Sequence, residues 1–195
     1  MSYYSNPAHA HSSGRGGHGQ PYTLQHALTP QHVGYGPSRH RMPTIEYKPT
    51  KWNAAMAGAR QRTVLSFDYP GQSSQGVSMR DLRLKGPTAP IAGAGDLVFA
   101  PLGVQKISLR IIWPGYERVE WSRSIDVNGI TRAALAYQVA SNFARFFEKT
   151  QYETPTSPTH YLISPAAVQF EHLYLLSLTN TIDNVWQADI VVELR

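Results

Sequence analysis

In this chain of 195 residues, few side chains have the type and spacing to do chemistry, and His172 comes first among them. Phe170, His172, Tyr174, Leu176 and Leu178 fall in one alternating phase, so the imidazole is expected on a buried face. Desolvation disfavours its charged form, which predicts a neutral ring with a pKa below the ~6.5 of free histidine. A neutral, sheltered imidazole is a candidate base. A small hydrolase-like enzyme using His172 or His160 beside an Asp is therefore one function to weigh. His160 lies in a connection broken by Pro155 and Pro158, where a surface histidine is the plainer reading. The plainer reading of His172 is a core or edge residue satisfied by a backbone carbonyl, so no catalytic residue is assigned.

The second constellation is basic. Arg15 sits in Gly-Arg-Gly-Gly, and Arg39-His-Arg41 follows Tyr22 and Tyr35. Arginine interleaved with aromatic residues binds single-stranded nucleic acid through charge and stacking, so Arg15, Arg39 and Arg41 are the candidate contacts for weak binding of that kind. One Arg-Gly-Gly is no repeat, and the charges are dilute. Six of the eight His precede residue 45, but they lack carboxylate or thiolate partners at a rigid spacing, so neither a metal nor any other cofactor is expected. With no Cys in the chain, disulfides, thiolate nucleophiles and Cys-ligated metal centres are excluded. Gly93-Ala-Gly95-Asp96 resembles half of a dinucleotide loop, but the third Gly is missing and prolines surround it, so it reads as an ordinary loop.

These residues must be positioned by something, and the charge distribution shows where a fold can be. Residues 1–62 hold seven Lys or Arg against the single acid Glu46, whereas the other 133 hold eleven bases and twelve acids. The basic excess belongs to the N-terminal part, and the remainder is close to neutral. Residues 1–42, rich in His, Gly and Pro, show no apolar periodicity and are expected to be a disordered leader dispensable for folding. Residues 43–61, with Ile45, Tyr47 and Trp52, suit an extended arm lying on a single domain over 62–195. The N-terminus lacks a basic start followed by an apolar run, and no window approaches the ~18 apolar residues of a membrane span. A soluble intracellular protein, cytoplasmic or nuclear, with no membrane partner is the expectation.

Within the domain, Leu65, Phe67 and Tyr69 alternate before Pro70-Gly71, and Met79–Lys85 is a weaker strand candidate with Leu82 and Leu84 on one face. Residues 86–104 read as loop. Ile107, Leu109, Ile111 and Trp113 form one face of a strand; Pro114-Gly115 suits a type II turn, and Val119, Trp121, Ile125 and Val127 the returning strand. Thr131 caps the principal helix, with Ile130 and Leu135 as a hydrophobic staple. That helix's apolar face, which includes Val139, Phe143, Phe146 and Phe147, is wider than a surface helix needs. Two further strands, Phe170–Leu178 and Trp186–Leu194, are expected to form an antiparallel pair around 179–185. The fold class is α+β, a mostly antiparallel sheet with one principal helix packed on a face, preceded by the disordered tail.

The hairpin in Lys106–Lys149, its Ser-Ile-Asp-Val strand end, the Ile-Thr opening the helix, the Phe170–Leu178 strand and the late Trp186 strand together resemble a domain of unknown function common in mushroom-forming fungi. The resemblance spans about residues 62–195 and is one of pattern. The Pro-, Gly-, His- and Tyr-rich leader fits the style of that group. The resemblance implies no activity and assigns no functional residue. Every strong signal in the chain is a packing signal, so the leading expectation is a non-catalytic protein-interaction or structural module whose partner is an unknown protein.

Overall fold

The computed structural model describes residues 39–48 and 62–194. Among them seven strands form one sheet, β1 (Arg39–Arg41), β2 (Val64–Ser66), β3 (Val77–Ser78), β4 (Lys106–Ile111), β5 (Trp121–Asp126), β6 (Leu173–Ile182) and β7 (Val185–Glu193). Two α-helices, α1 (Met79–Lys85) and α2 (Arg132–Thr150), complete an α+β architecture. The order across the sheet is β2-β6-β7-β4-β5. β1 pairs with the last residues of β7, and β3 with the first residues of β6. All pairings are antiparallel except β4 with β7. Neither helix is long and apolar enough to cross a membrane.

Turn chemistry sets the β4–β5 hairpin. The Tyr116 N–H donates to the Trp113 carbonyl at 2.9 Å across Pro114-Gly115, and Gly115 holds φ at +86°, the type II geometry. A Cβ there would also lie 2.6 Å from Thr159. Ile107, Leu109, Ile111 and Trp113 are all buried, as their alternation requires.

α2 begins at Thr131, whose hydroxyl accepts from the Ala134 N–H at 3.3 Å. Ala133, Leu135, Ala136, Val139, Ala140, Phe143, Ala144, Phe146 and Phe147 are buried, a set that spreads over about half of the helix circumference. One layer cannot cover it. The sheet and its aromatic residues take one side, with Trp113 and Trp121 against Phe146. α1 and the 3-10 turn Gly86–Thr88 take another.

Three expectations are corrected. Met79–Lys85 is a helix: Ser78 caps it by accepting from the Asp81 N–H, Asp81 lies in its first turn, and Arg83 and Lys85 lie in its last, an arrangement that suits the helix dipole. Leu82 and Leu84 therefore stand on opposite sides; Leu82 is fully buried and Leu84 is 73% exposed. Phe170–His172 is a 3-10 turn, and β6 starts only at Leu173. Leu173 and Leu175 point into the core, and a register shift between Leu175 and Ser177 turns Leu178 inward as well. Arg39–Arg41 are no part of a structureless leader. They form β1, with Arg39 opposite Glu193, and Met42 behind them is buried.

The following arm crosses the sheet face that α2 leaves uncovered. On β7, Gln187 and Asp189 alternate with Trp186, Ala188 and Ile190. The buried Gln187 amide accepts from the Tyr47 N–H at 2.8 Å and donates to the Ile45 carbonyl at 2.9 Å. The Arg110 guanidinium stacks over the Tyr47 ring at 4.0 Å. Trp52 lies outside the described residues.

This seating predicts that a truncation beginning at Pro43 melts several degrees below one beginning at Arg39. The difference is the pairing of β1 and the burial of Met42, worth ~1.5–3 kcal/mol, at ~2–4 °C per kcal/mol for a chain of this size. Equal melting temperatures in a thermal scan would show that β1 contributes nothing.

Candidate functional site

A groove of about 480 Å³ opens where α1, the C-terminal half of α2 and the segment 163–171 meet. Each wall is fixed by identifiable contacts. α1 is held from beneath by the fully buried Met79 and Leu82 and from the side by the Tyr69 hydroxyl, which donates to Asp81 Oδ2 at 2.8 Å. Burial first, and then the hydrogen bond and charge of Asp81, push the Tyr69 pKa up to about 12.

The irregular segment after α2 is tied to the β4–β5 hairpin turn. The Trp113 indole donates to the Tyr161 carbonyl at 2.7 Å, and the Ile163 N–H donates to the Tyr116 hydroxyl at 3.2 Å. The Thr156 N–H donates to the Gly115 carbonyl at 2.7 Å. Glu117 accepts from the Gly115 N–H, which holds its carboxyl below the usual carboxylate range. A bridge between Ile163 and Val168 then folds the segment back onto the groove.

The floor is apolar, with Ala144, Phe147, Ile163 and Val168, and Leu84 on the rim. Arg80 and Arg83 line it from α1, Glu148 from α2, and Glu171 from the 3-10 turn. All four are exposed, and none makes an ion pair among the described residues. Tyr152, 85% exposed, and Leu162 immediately neighbour lining residues in sequence. The groove has an apolar centre and a charged margin.

His172 lies beside the groove and not in a core. It is half-buried and lines a small polar pocket with Arg80, Glu171, Tyr174 and Glu193. Its Nδ1 accepts the Gln169 N–H at 3.1 Å, so the hydrogen-bond network places the proton of the neutral ring on Nε2. A histidine base of the Ser-His-Asp type needs the opposite tautomer, with Nδ1–H donated to a carboxylate and a lone pair on Nε2. The burial expected from phase is therefore overturned, because the chain turns through a 3-10 turn at this point. His160 is exposed and lines none of these pockets. Among the described residues, no three His, Asp or Glu cluster as metal ligands do.

The basic candidates separate as well. Arg39 pairs with Glu193 at 3.1 Å and stacks over Tyr174 at 4.2 Å, and Arg41 pairs with Asp189. Both charges are spent on the sheet. Arg15 lies outside the described residues. The Gly93–Asp96 loop seats the start of α2: the Asp96 and Ala94 carbonyls accept the Arg132 and Ala133 N–H groups, and Thr131 accepts those of Ala134 and Leu135. With those four donors satisfied, that terminus has no donor left for a phosphate.

Leu84 is also misplaced by the apolar pattern, which puts it on one face with Leu82. Ser78-Met-Arg-Asp81 followed by Gly86-Pro87 is a helix start and stop signal that would have revealed it. Comparison with protein-family models, with curated proteins and with solved structures returns no match for this chain.

The Tyr69–Asp81 contact predicts an alkaline weakness of α1. A raised folded pKa means that the stabilisation is complete below the ~10 of a free phenol and is lost as pH climbs from there toward about 12. In an ultraviolet titration, Tyr69→Phe should remove amplitude only from the latest-titrating tyrosines. Amplitude lost from the ordinary transition near pH ~10 would contradict this.

Proposed function

We propose that this chain is a non-catalytic protein-interaction module whose working surface is the groove between α1, α2 and residues 163–171. The observation that carries the reading is Leu84, 73% exposed at the edge of an apolar floor. Burying such a side chain against a partner contributes ~1.5–3 kcal/mol. The walls are tied down by the Tyr69, Trp113 and Tyr116 hydrogen bonds, so a partner segment would meet a preformed surface with little ordering left to do. The partner favoured by this geometry is a protein segment with an apolar anchor flanked by charged residues.

The catalytic alternative on His172 has less support, because its Nδ1 is occupied by a backbone N–H and, among the described residues, no nucleophile is hydrogen-bonded to it. The nucleic-acid alternative loses Arg39 and Arg41 to Glu193 and Asp189, and the groove margin carries acids as well as bases.

A displayed random-peptide library selected against the protein tests this reading. The enriched peptides should share an apolar anchor with flanking charges, and Leu84→Gln should weaken the best of them about tenfold, the equivalent of ~1.4 kcal/mol. No enrichment, or binding indifferent to Leu84→Gln, would sink the proposal.

A further inference from the structure

The charges around the groove are segregated by element in a way that matches themselves. The two bases, Arg80 and Arg83, stand on α1, whereas the two acids, Glu148 and Glu171, stand on the elements that complete the rim. A surface shaped for a strongly charged ligand would carry one sign in excess; this one carries equal numbers of both. It also combines a knob with a hole: Leu84 stands out from the α1 wall beside a groove floored by Ala144 and Phe147. Charge balance together with a knob and a hole on one patch is what an isologous interface requires, since each copy must supply both halves of every contact.

The charge layout also selects the symmetry axis. A two-fold axis running along the groove lays the α1 wall of one copy, with its arginines, over the α2 wall of the other, with Glu148. An axis running across the groove would stack arginines on arginines, which is repulsive. Nothing in the net charge of the domain opposes self-association, because residues 63–195 hold eleven bases and twelve acids.

From these observations we infer that the groove is occupied by a second copy of this chain, in a two-fold dimer where Leu84 of each copy enters the groove of the other. The inference rests on the reading of the groove as an interaction site, and it names the partner.

Sedimentation equilibrium of the full chain across a micromolar concentration range tests it. The expected result is a reversible dimer whose dissociation constant rises at least about tenfold with Leu84→Gln, the effect of losing a buried anchor on both copies. Arg83→Glu and Glu148→Arg should each weaken the dimer, and the two together should restore affinity toward the original, because the exchanged charges face each other across the axis. All three positions are exposed, and unchanged thermal melts of the variants confirm that each still folds. A monomer at every concentration, a dimer indifferent to Leu84→Gln, or a double variant no tighter than the singles overturns the dimer. A monomer that still binds selected peptides through the groove overturns the dimer alone, whereas a monomer that binds none removes the interaction reading with it.

Discussion

The structure depends on one constraint, the burial of α2 over about half of its circumference. Eleven of its nineteen residues are buried, including Phe143, Phe146 and Phe147. A helix packed on one sheet face needs an apolar stripe only about 100° wide. α2 exceeds that, so the chain must supply a second layer, and it does so with α1, the turn at Gly86–Thr88 and the segment that follows α2. The small residues Ala133, Ala136, Ala140 and Ala144 let these neighbours approach closely. Toward the C-terminal end the second layer is incomplete. The groove is the place where the wrapping of α2 stops.

That incompleteness has definite edges because the hairpin turn holds them. Trp113 and Tyr116, at the end of β4–β5, bond to the backbone of Tyr161 and Ile163, and they span a segment with neither helix nor strand to organise it. The Trp113 ring also meets Phe147 at 4.9 Å, so the residue that closes the core sets the third wall of the groove. On the other sheet face the arm takes the same role for β7 through Gln187, Asp189 and Glu193. The segment after α2 and the arm both gain their order from a few directed hydrogen bonds.

Where local signals were strong and agreed with one another, sequence and structure coincide. Alternation over six residues plus Pro114-Gly115 specified the hairpin, and Thr131 with the Ile130–Leu135 staple specified the start of α2. The failures have physical causes. Leu82 and Leu84 share a face in a strand and part in a helix, and seven residues are too few to separate a period of two from 3.6 by apolar positions alone. The alternating phase that holds His172 runs across a 3-10 turn and a register shift, which leave no mark in an apolar pattern. Arg39-His-Arg41 has no apolar residue to announce a strand; it becomes one because Asp189 and Glu193 lie beside it, about 150 positions away in the chain. The groove joins three distant segments and depends on Leu84 facing outward, so it could not be read before α1 was known to be helical.

The groove needs α1 to be a fixed wall and not a loosely attached turn, although a seven-residue helix has little stability of its own. Native-state hydrogen exchange of the amides at its C-terminal end, from Arg83 to Gly86, tests this most directly. The Gly86 N–H donates to the Leu82 carbonyl, and a fixed α1 exchanges from this turn at a rate within about tenfold of the amides in the middle of α2, as expected when both open in one cooperative unit. Exchange near the rate of an unstructured chain would mean that α1 detaches freely, that the groove has no standing shape, and that the surface proposed here for binding does not exist in solution.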